Sequence, residues 1–345
     1  MAIITIIGAG MMGSAMATPA RDNGHEVRLV GTPLDKEIID VSKKTNRHPK
    51  FDKDFPEGIK FYQIEDVKQA IENADAIVCG VSSFGVDWFG ENILPIIDEN
   101  TPILSITKGL VNLNDGRLIT YPEYWKKFTK AKRNINAVGG PCISFDLAWR
   151  DDTVVSFCGE DMNTLRKLKE YFQTSYYHIS ITNDIVGVES AVALKNGYAL
   201  GVALTIGQQE RKTDGDKKLR YNCQAGVFGQ ALRECTKILE FQGSNNLNSQ
   251  VIFAGDLYVT VFGGRTRKIG VLLGKGLNID EAKEVLNGVT LESLVIIERV
   301  AKAVKLNAEK GMLDPKDFPF LLHVYDLIVN KKPLNIPWKD FTYEG

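Results

Sequence analysis

"MAIITIIGAGMMGSAMA" (residues 1–17) opens the chain, and two readings compete for it. An apolar start that ends in small residues suits a secretory leader. A β-branched run followed by spaced glycines suits the first strand, turn and helix of a nucleotide-binding sheet. A leader needs positive charge at its start, and the first Lys or Arg here is Arg21. Ile3, Ile4, Thr5, Ile6 and Ile7 make a strand-like run, Gly8, Gly10 and Gly13 follow as G-x-G-x-x-G, and residues 14–17 begin a helix of small residues. In such a unit the first glycine allows the tight turn, the second lets the backbone approach a pyrophosphate, and the third packs helix on strand. The phosphates are then held by free N–H groups at the positive end of the helix dipole. The stretch predicts a dinucleotide site.

Working outward, β-like and helical runs alternate through the first half, the pattern of a parallel sheet covered on both faces. "HEVRLVGT", "GIKFYQ", "DAIVCGVSS", "TPILSITKGL", "NINAVGGP", "TVVSFCG" and "YYHISITND" read as strands, and "VKQAIENA", "NILPIIDE" and "DMNTLRKLKEYFQ" as helices. From about Ile185 long helical patterns take over, including "NIDEAKEVLNG", where Asn278 and Glu281 have capping-box spacing, and "LESLVIIERVAKAVKLNAEK". The expected architecture is α/β. A Rossmann-type doubly wound sheet over residues 1–184 binds a dinucleotide, and an all-helical domain over 185–345 carries substrate and catalysis.

The 345 residues suffice for two cores, and a net charge of −1 argues against a nucleic-acid partner. Five cysteines without a C-x-x-C pair suit a reducing cytoplasm, and four scattered histidines without H-E-x-x-H argue against a metal site. Residues 185–207 are apolar, but Glu189, Lys195 and Asn196 interrupt them, which fits a buried helix better than a membrane span.

At the end of the second strand stand Gly31, Thr32 and Pro33. An acid there binds the ribose 2′-hydroxyl of NAD and repels the 2′-phosphate of NADP. The sequence shows none at that point, Thr32 offers a hydroxyl, and Arg47 is either a phosphate contact or a solvated charge. Tolerance of NADPH follows.

"VESAVALKNGYALGVA" places Val188, Val192, Lys195 and Ala199 on one helix face. A lysine on a buried face needs a carboxylate partner or a chemical role, and burial lowers its pKa toward the range useful for proton transfer. Lys108 in "SITKGL" follows a strand end, where sheets of this type bind ligands. "GDLYVTVFGGRTRKIG" gathers Asp256, Thr260 and Arg265 around glycines whose N–H groups, with the Arg fork, suit a phosphate.

Together GAGMMGSAMA, SITKGL, E-x-x-x-ALKN and GDL-x-x-T-x-x-GGR-x-RK resemble the NAD(P)-dependent sn-glycerol-3-phosphate dehydrogenase family, in family order from Gly8 to about Glu292. The resemblance implies interconversion of dihydroxyacetone phosphate and sn-glycerol 3-phosphate with NAD or NADP, feeding glycerophospholipid synthesis in the cytoplasm, and leaves a homodimer open. By it Lys195, Lys108, Asp256 and Thr260 are catalytic, with Lys195 the proton donor. Asn196, Arg265 and Thr266 hold the substrate. Gly8, Gly10, Met11, Met12, Gly13, Thr32, Arg47, Ser83, Phe84, Lys108, Ser144, Arg265 and Glu292 form the cofactor set.

Several positions depart from the family pattern. Thr266 stands for Asn, Ser144 for Ala and Asp146 for Glu, "VSSF" lacks a proline, and Gly197 interrupts the catalytic helix at a cost of roughly 1 kcal/mol against Ala. Two other readings therefore stay open: the same chemistry on a different small anionic ketone or hydroxy acid, and a non-catalytic dinucleotide sensor.

Overall fold

The computed structural model describes residues 1–129, 133–212, 221–287 and 291–343. Among the described residues there are ten strands: β1 (Ile3–Ile7), β2 (Glu26–Val30), β3 (Lys60–Tyr62), β4 (Ala76–Cys79), β5 (Ile103–Ser105), β6 (Leu110–Asn112), β7 (Leu118–Thr120), β8 (Ile135–Gly139), β9 (Thr153–Cys158) and β10 (Tyr177–Thr182). Eight of them form one sheet in the order β10-β9-β8-β5-β4-β1-β2-β3, and β6 pairs with β7. Contacts divide the chain into two compact units, Met1–Lys108 with Thr120–Glu189, and Gly109–Ile119 with Ser190–Gly345.

In the first unit the strands read as β-branched runs because both faces are covered; all four residues of β4 are buried. The one polar side chain inside β1, Thr5, is satisfied by donating to the Ala70 carbonyl at 2.6 Å. The helix Met162–Phe172 lays Leu165, Leu168 and Phe172 inward at helical spacing, and the Asp161 side chain caps it by accepting from the N–H groups of Asn163 and Thr164. Sequential strands leave β1 in opposite directions, to β2 and β3 on one side and to β4, β5 and β8 on the other, which sets a topological switch point between β1 and β4.

The sheet departs from the all-parallel expectation at one place. β9 runs antiparallel to β8, and β10 is parallel to β9. Between β8 and β9 the chain forms only the six-residue helix Ser144–Trp149, too short for a covering crossover, and turns back through Arg150 at φ 66°. Asp22 fixes that turn with two hydrogen bonds from the Arg150 guanidinium, at 2.7 and 2.9 Å. "NILPIIDE" is likewise not an α-helix. A π turn (Phe89–Ile93) runs into a 3-10 turn (Leu94–Ile96), where Pro95 has no N–H to continue a helix.

The second unit is helical but not wholly so, because it takes in the hairpin of β6 with β7. Arg299 and Asn307, on the helix Glu292–Glu309, donate to the carbonyls of Leu110 and Gly116 and fasten the hairpin. Asn278 and Glu281 form the expected capping box at the helix Ile279–Val285; Gly288, the last residue of that sequence pattern, lies outside the described residues. Gly197 is explained by packing, since a Cβ there would sit 2.9 Å from Ile297 Cγ1.

The core of this unit holds a wholly buried carboxyl, Glu234, on the helix Asn222–Phe241. It accepts from Tyr198 Oη (3.0 Å), Gln230 Nε2 (3.0 Å) and the backbone N–H groups of Phe320 (2.7 Å) and Leu321 (2.9 Å), so it caps the first turn of the helix Pro319–Ile328. Burial pushes its pKa up to about 7 against the opposing pull of these donors. A carboxyl raised in the folded state stabilises most below its unfolded pKa, and that contribution is lost as pH rises through the folded value. Glu234→Gln should cost about 1–3 kcal/mol, because an amide NH₂ then meets backbone donors. It should also flatten the decline in urea midpoint between mildly acidic and mildly alkaline pH; a decline as steep as in the parent would refute the assignment.

Candidate active site

The glycine loop follows β1 at the switch point. Added to Gly8, a Cβ would lie 2.6 Å from the Gly80 backbone, and added to Gly13 it would lie 2.0 Å from the Gly8 carbonyl oxygen. Both glycines are therefore required by close approach of β1, β4 and the helix Met11–Asp22. At Gly10 nothing lies within 4 Å of that position. The loop is closed where the fold needs packing and open where a pyrophosphate would approach, at the N-terminus of a 12-residue helix with Gly10 as its N-cap. Met11 and Met12 begin that helix, half-buried. These residues fit a dinucleotide.

The end of β2 differs from the sequence expectation that no acid stands there. Asp35 turns back to the glycine loop, and its Oδ2 accepts from Ala9 N (3.1 Å), Thr32 N (2.9 Å) and Thr32 Oγ1 (2.7 Å). The Thr32 hydroxyl proton is thus engaged by a carboxylate. Asp35 lies 22 residues after Gly13, close to the spacing of about 20 at which a ribose-binding acid is expected; that spacing was the signal, hidden because Asp35 falls beyond the strand end. Arg47 does not reach Thr32: it pairs with Asp54 at 2.6 Å, both side chains exposed. Beside them His48 is buried, with Nδ1 accepting from Lys50 N, and burial lowers its pKa.

The other residues of the cofactor set in this unit follow strand ends on the same edge of the sheet. Ser83 and Phe84 lie in the 3-10 turn after β4, with Phe84 exposed. Lys108 follows β5, half-buried, with Nζ donating to the Gly140 carbonyl at 3.4 Å. Ser144 opens the short helix after β8.

In the second unit three sequence candidates meet. Lys195 Nζ donates to Asp256 Oδ1 at 2.7 Å and to Thr260 Oγ1 at 2.8 Å, and Thr260 Oγ1 donates to the Asp256 carbonyl at 2.7 Å. Lys195 is 8% exposed and Asp256 1%, so this is a buried ion pair across 61 residues of sequence. Asp256 and Thr260 are one turn apart on the helix Leu247–Val261, which presents them together. Removing two charges from water is costly unless they are paired and hydrogen-bonded. This arrangement supplies both conditions and fixes the ammonium in place, as a proton donor requires.

Arg265 and Thr266 lie in the first turn of the 11-residue helix Gly264–Gly274, whose first N–H groups have no partner within the helix. Arg265 is exposed and makes no hydrogen bond or ion pair among the described residues. The next arginine, Arg267, is structural and donates to the Val261 carbonyl at 2.8 Å. Asn196 is half-buried beside Lys195, and Glu292 begins the helix Glu292–Glu309.

Two sequence profiles match this chain in tandem: NAD-dependent glycerol-3-phosphate dehydrogenase N-terminus over residues 3–165, and the C-terminus of the same family over residues 184–338. An NADP(+)-dependent glycerol-3-phosphate dehydrogenase of Archaeoglobus fulgidus is 34% identical over 318 residues, covering 90% of this chain and 93% of that protein. A glycerol-3-phosphate dehydrogenase [NAD(P)+] of Streptococcus thermophilus is 27% identical over 94% of this chain and 91% of its own length. The solved glycerol-3-phosphate dehydrogenase of Coxiella burnetii shares the fold, with a TM-score of 0.78 over 98% of this chain and 97% of that one, at 23% identity. With both profiles matched along most of its length, the chain belongs to the NAD-dependent glycerol-3-phosphate dehydrogenase family.

Proposed function

We propose that this protein interconverts dihydroxyacetone phosphate and sn-glycerol 3-phosphate, and the observation that carries the reading is the buried Lys195–Asp256–Thr260 cluster. Bound NAD(P)H supplies the hydride that reduces the C2 carbonyl, and the cofactor leaves oxidised. Lys195 donates the proton that the C2 oxygen takes as charge develops on it. Asp256 and Thr260 hold the ammonium in register. Lys108 adds a second cation for the developing charge, and Arg265 with the N–H groups of its helix turn holds the phosphate. Asn196 and Thr266 complete the substrate set, and Glu292 belongs with the cofactor residues. The fold's division of labour follows: the first unit takes the dinucleotide and the second supplies the proton. A cytoplasmic location belongs to the same reading; among the described residues no helix is long and apolar enough to cross a membrane.

Oxidation of NADH and NADPH should be measured with dihydroxyacetone phosphate against a panel of other keto-phosphates and keto acids. Preference for a different ketone would transfer the reading to that substrate, as Thr266 in place of Asn would allow. No turnover with any of them would leave only a dinucleotide sensor.

Asp35 decides between the cofactors. A 2′-phosphate placed beside its carboxylate is repelled, whereas a ribose hydroxyl can donate to it. Both cofactors are used, with Asp35 limiting NADPH. Asp35→Asn should raise NADPH affinity relative to NADH by about tenfold, read by calorimetric titration of each. An unchanged affinity ratio would place the selectivity elsewhere, first in the 43–51 loop.

A further inference from the structure

Lys195 and Arg265 stand on different helices of the second unit, Ile185–Lys212 and Gly264–Gly274. A substrate that spans them has a fixed length between its carbonyl and its phosphate, so the separation of the two side chains has to be fixed as well. The short connection from Thr260 to Arg265 does not achieve this by its own packing. At Gly263 and Gly264 an added Cβ would meet nothing within 4 Å, and Gly264 sits in the left-handed region at φ 78°.

Two contacts hold the Arg265 turn from outside that connection. Arg267, half-buried, reaches back across it, and its Nη1 donates to the Val261 carbonyl at 2.8 Å. Val261 ends the helix Leu247–Val261, where a carbonyl has no donor within the helix, and it directly follows Thr260. Further along, Gly270 lies against the backbone of the helix Ile185–Lys212. A Cβ there would be 2.5 Å from the Leu200 carbonyl oxygen and 2.6 Å from Ala203 Cβ, well inside the 3.4 Å at which ordinary contact begins. Leu200 is little more than one turn beyond Lys195 on that helix.

We propose that Arg267 is a positioning residue for the substrate phosphate. Through Val261 it ties the turn that carries Arg265 to the turn whose Thr260 holds the Lys195 ammonium. The backbone contact at Gly270 fixes the same helix against the helix of Lys195. Neither residue is required to touch substrate; together they set the span between carbonyl and phosphate that a ketone phosphate must have. The inference rests on the proposed dehydrogenase reading, with Lys195 at the C2 oxygen and Arg265 at the phosphate.

Arg267→Met should lower kcat/KM for dihydroxyacetone phosphate by about tenfold or more and leave non-phosphorylated dihydroxyacetone within about twofold. Arg267→Lys keeps a donor for the Val261 carbonyl and should recover most of that loss. In an Arg265→Ala background Arg267→Met should cost less than about twofold on either substrate, because no guanidinium is left to position. Gly270→Ala forces the two helices apart by about an ångström and should show the same phosphate-selective loss, although a methyl group has no polar contact to offer a phosphate. Should Gly270→Ala fail to fold, the Arg267 variants decide alone. Equal losses on both substrates would make the bond an ordinary helix cap. An undiminished loss in the Arg265→Ala background would make Arg267 a phosphate ligand in its own right. Either result overturns the proposal.

Amide hydrogen exchange of the whole, ligand-free protein tests the clamp without turnover. Exchange over residues 262–268 should quicken at least about fivefold in Arg267→Met, with residues 247–256 unchanged. Unaltered exchange over 262–268 would mean that the bond holds nothing, and overturns the proposal whatever the kinetics. A parent without turnover on dihydroxyacetone phosphate would refute the dehydrogenase reading instead, and the exchange comparison would still decide whether Arg267 holds the turn.

Discussion

A Lys195→Met enzyme should lose at least roughly 100-fold in kcat for dihydroxyacetone phosphate while binding NADH and NADPH nearly as the parent does. Methionine keeps most of the apolar stem and removes the ammonium, so the C2 oxygen has no positioned acid at the moment it gains charge. The Lys195 ammonium is held by Asp256 and Thr260 at 2.7 and 2.8 Å, which restricts it to one geometry and makes water a poor replacement. The substitution has a structural consequence too. Asp256 is 1% exposed, and without its partner it becomes a buried carboxylate that must take up a proton or destabilise the fold by about 3–5 kcal/mol. The double variant Lys195→Met with Asp256→Asn removes that charge, and should recover stability in thermal unfolding without recovering turnover. Turnover within a few-fold of the parent in the single variant would end the proton-donor assignment.

Arg265→Ala should cost about 2–4 kcal/mol of transition-state binding with dihydroxyacetone phosphate, read as kcat/KM. Non-phosphorylated dihydroxyacetone should lose far less, since it has no phosphate for the guanidinium to hold. Arg265 is exposed and forms no hydrogen bond or ion pair among the described residues, so truncating it should leave stability within about 0.5 kcal/mol of the parent. That separates it from Arg267, whose guanidinium secures the Val261 carbonyl. Equal losses on the two substrates would mean that Arg265 acts on the protein rather than on the phosphate, and would favour a different anionic ketone as the natural substrate.

Local signals in the sequence carried the reading as far as local physics extends. The β-branched run before Gly8, the glycine spacing and the 3.6-residue periodicity depend on backbone sterics and on which face is buried, and each is legible within about ten residues. For the same reason Lys195 could be recognised as a buried cation in need of a partner, and Asn278 as a helix cap. Chain direction is different. β9 could be read as a strand from its composition, but its antiparallel pairing with β8 depends on how a 13-residue connection closes, and alternation of side chains is the same either way.

The sequence by itself determined the two kinds of secondary structure, the dinucleotide loop and the identity of the charged residues available for chemistry, because those follow from residue type and short-range spacing. Only the tertiary structure decided their partners. Asp35 had to fold back before its carboxylate met Ala9, and Asp256 had to cross from another helix before it met Lys195. Glu234 found its backbone donors 86 and 87 residues away. Glu189, by contrast, was buried with no donor for either oxygen among the described residues. A charge can be read from one letter, but whether it is paired, neutralised or stranded depends on which distant segment excludes water from it, and that is fixed only when the chain packs.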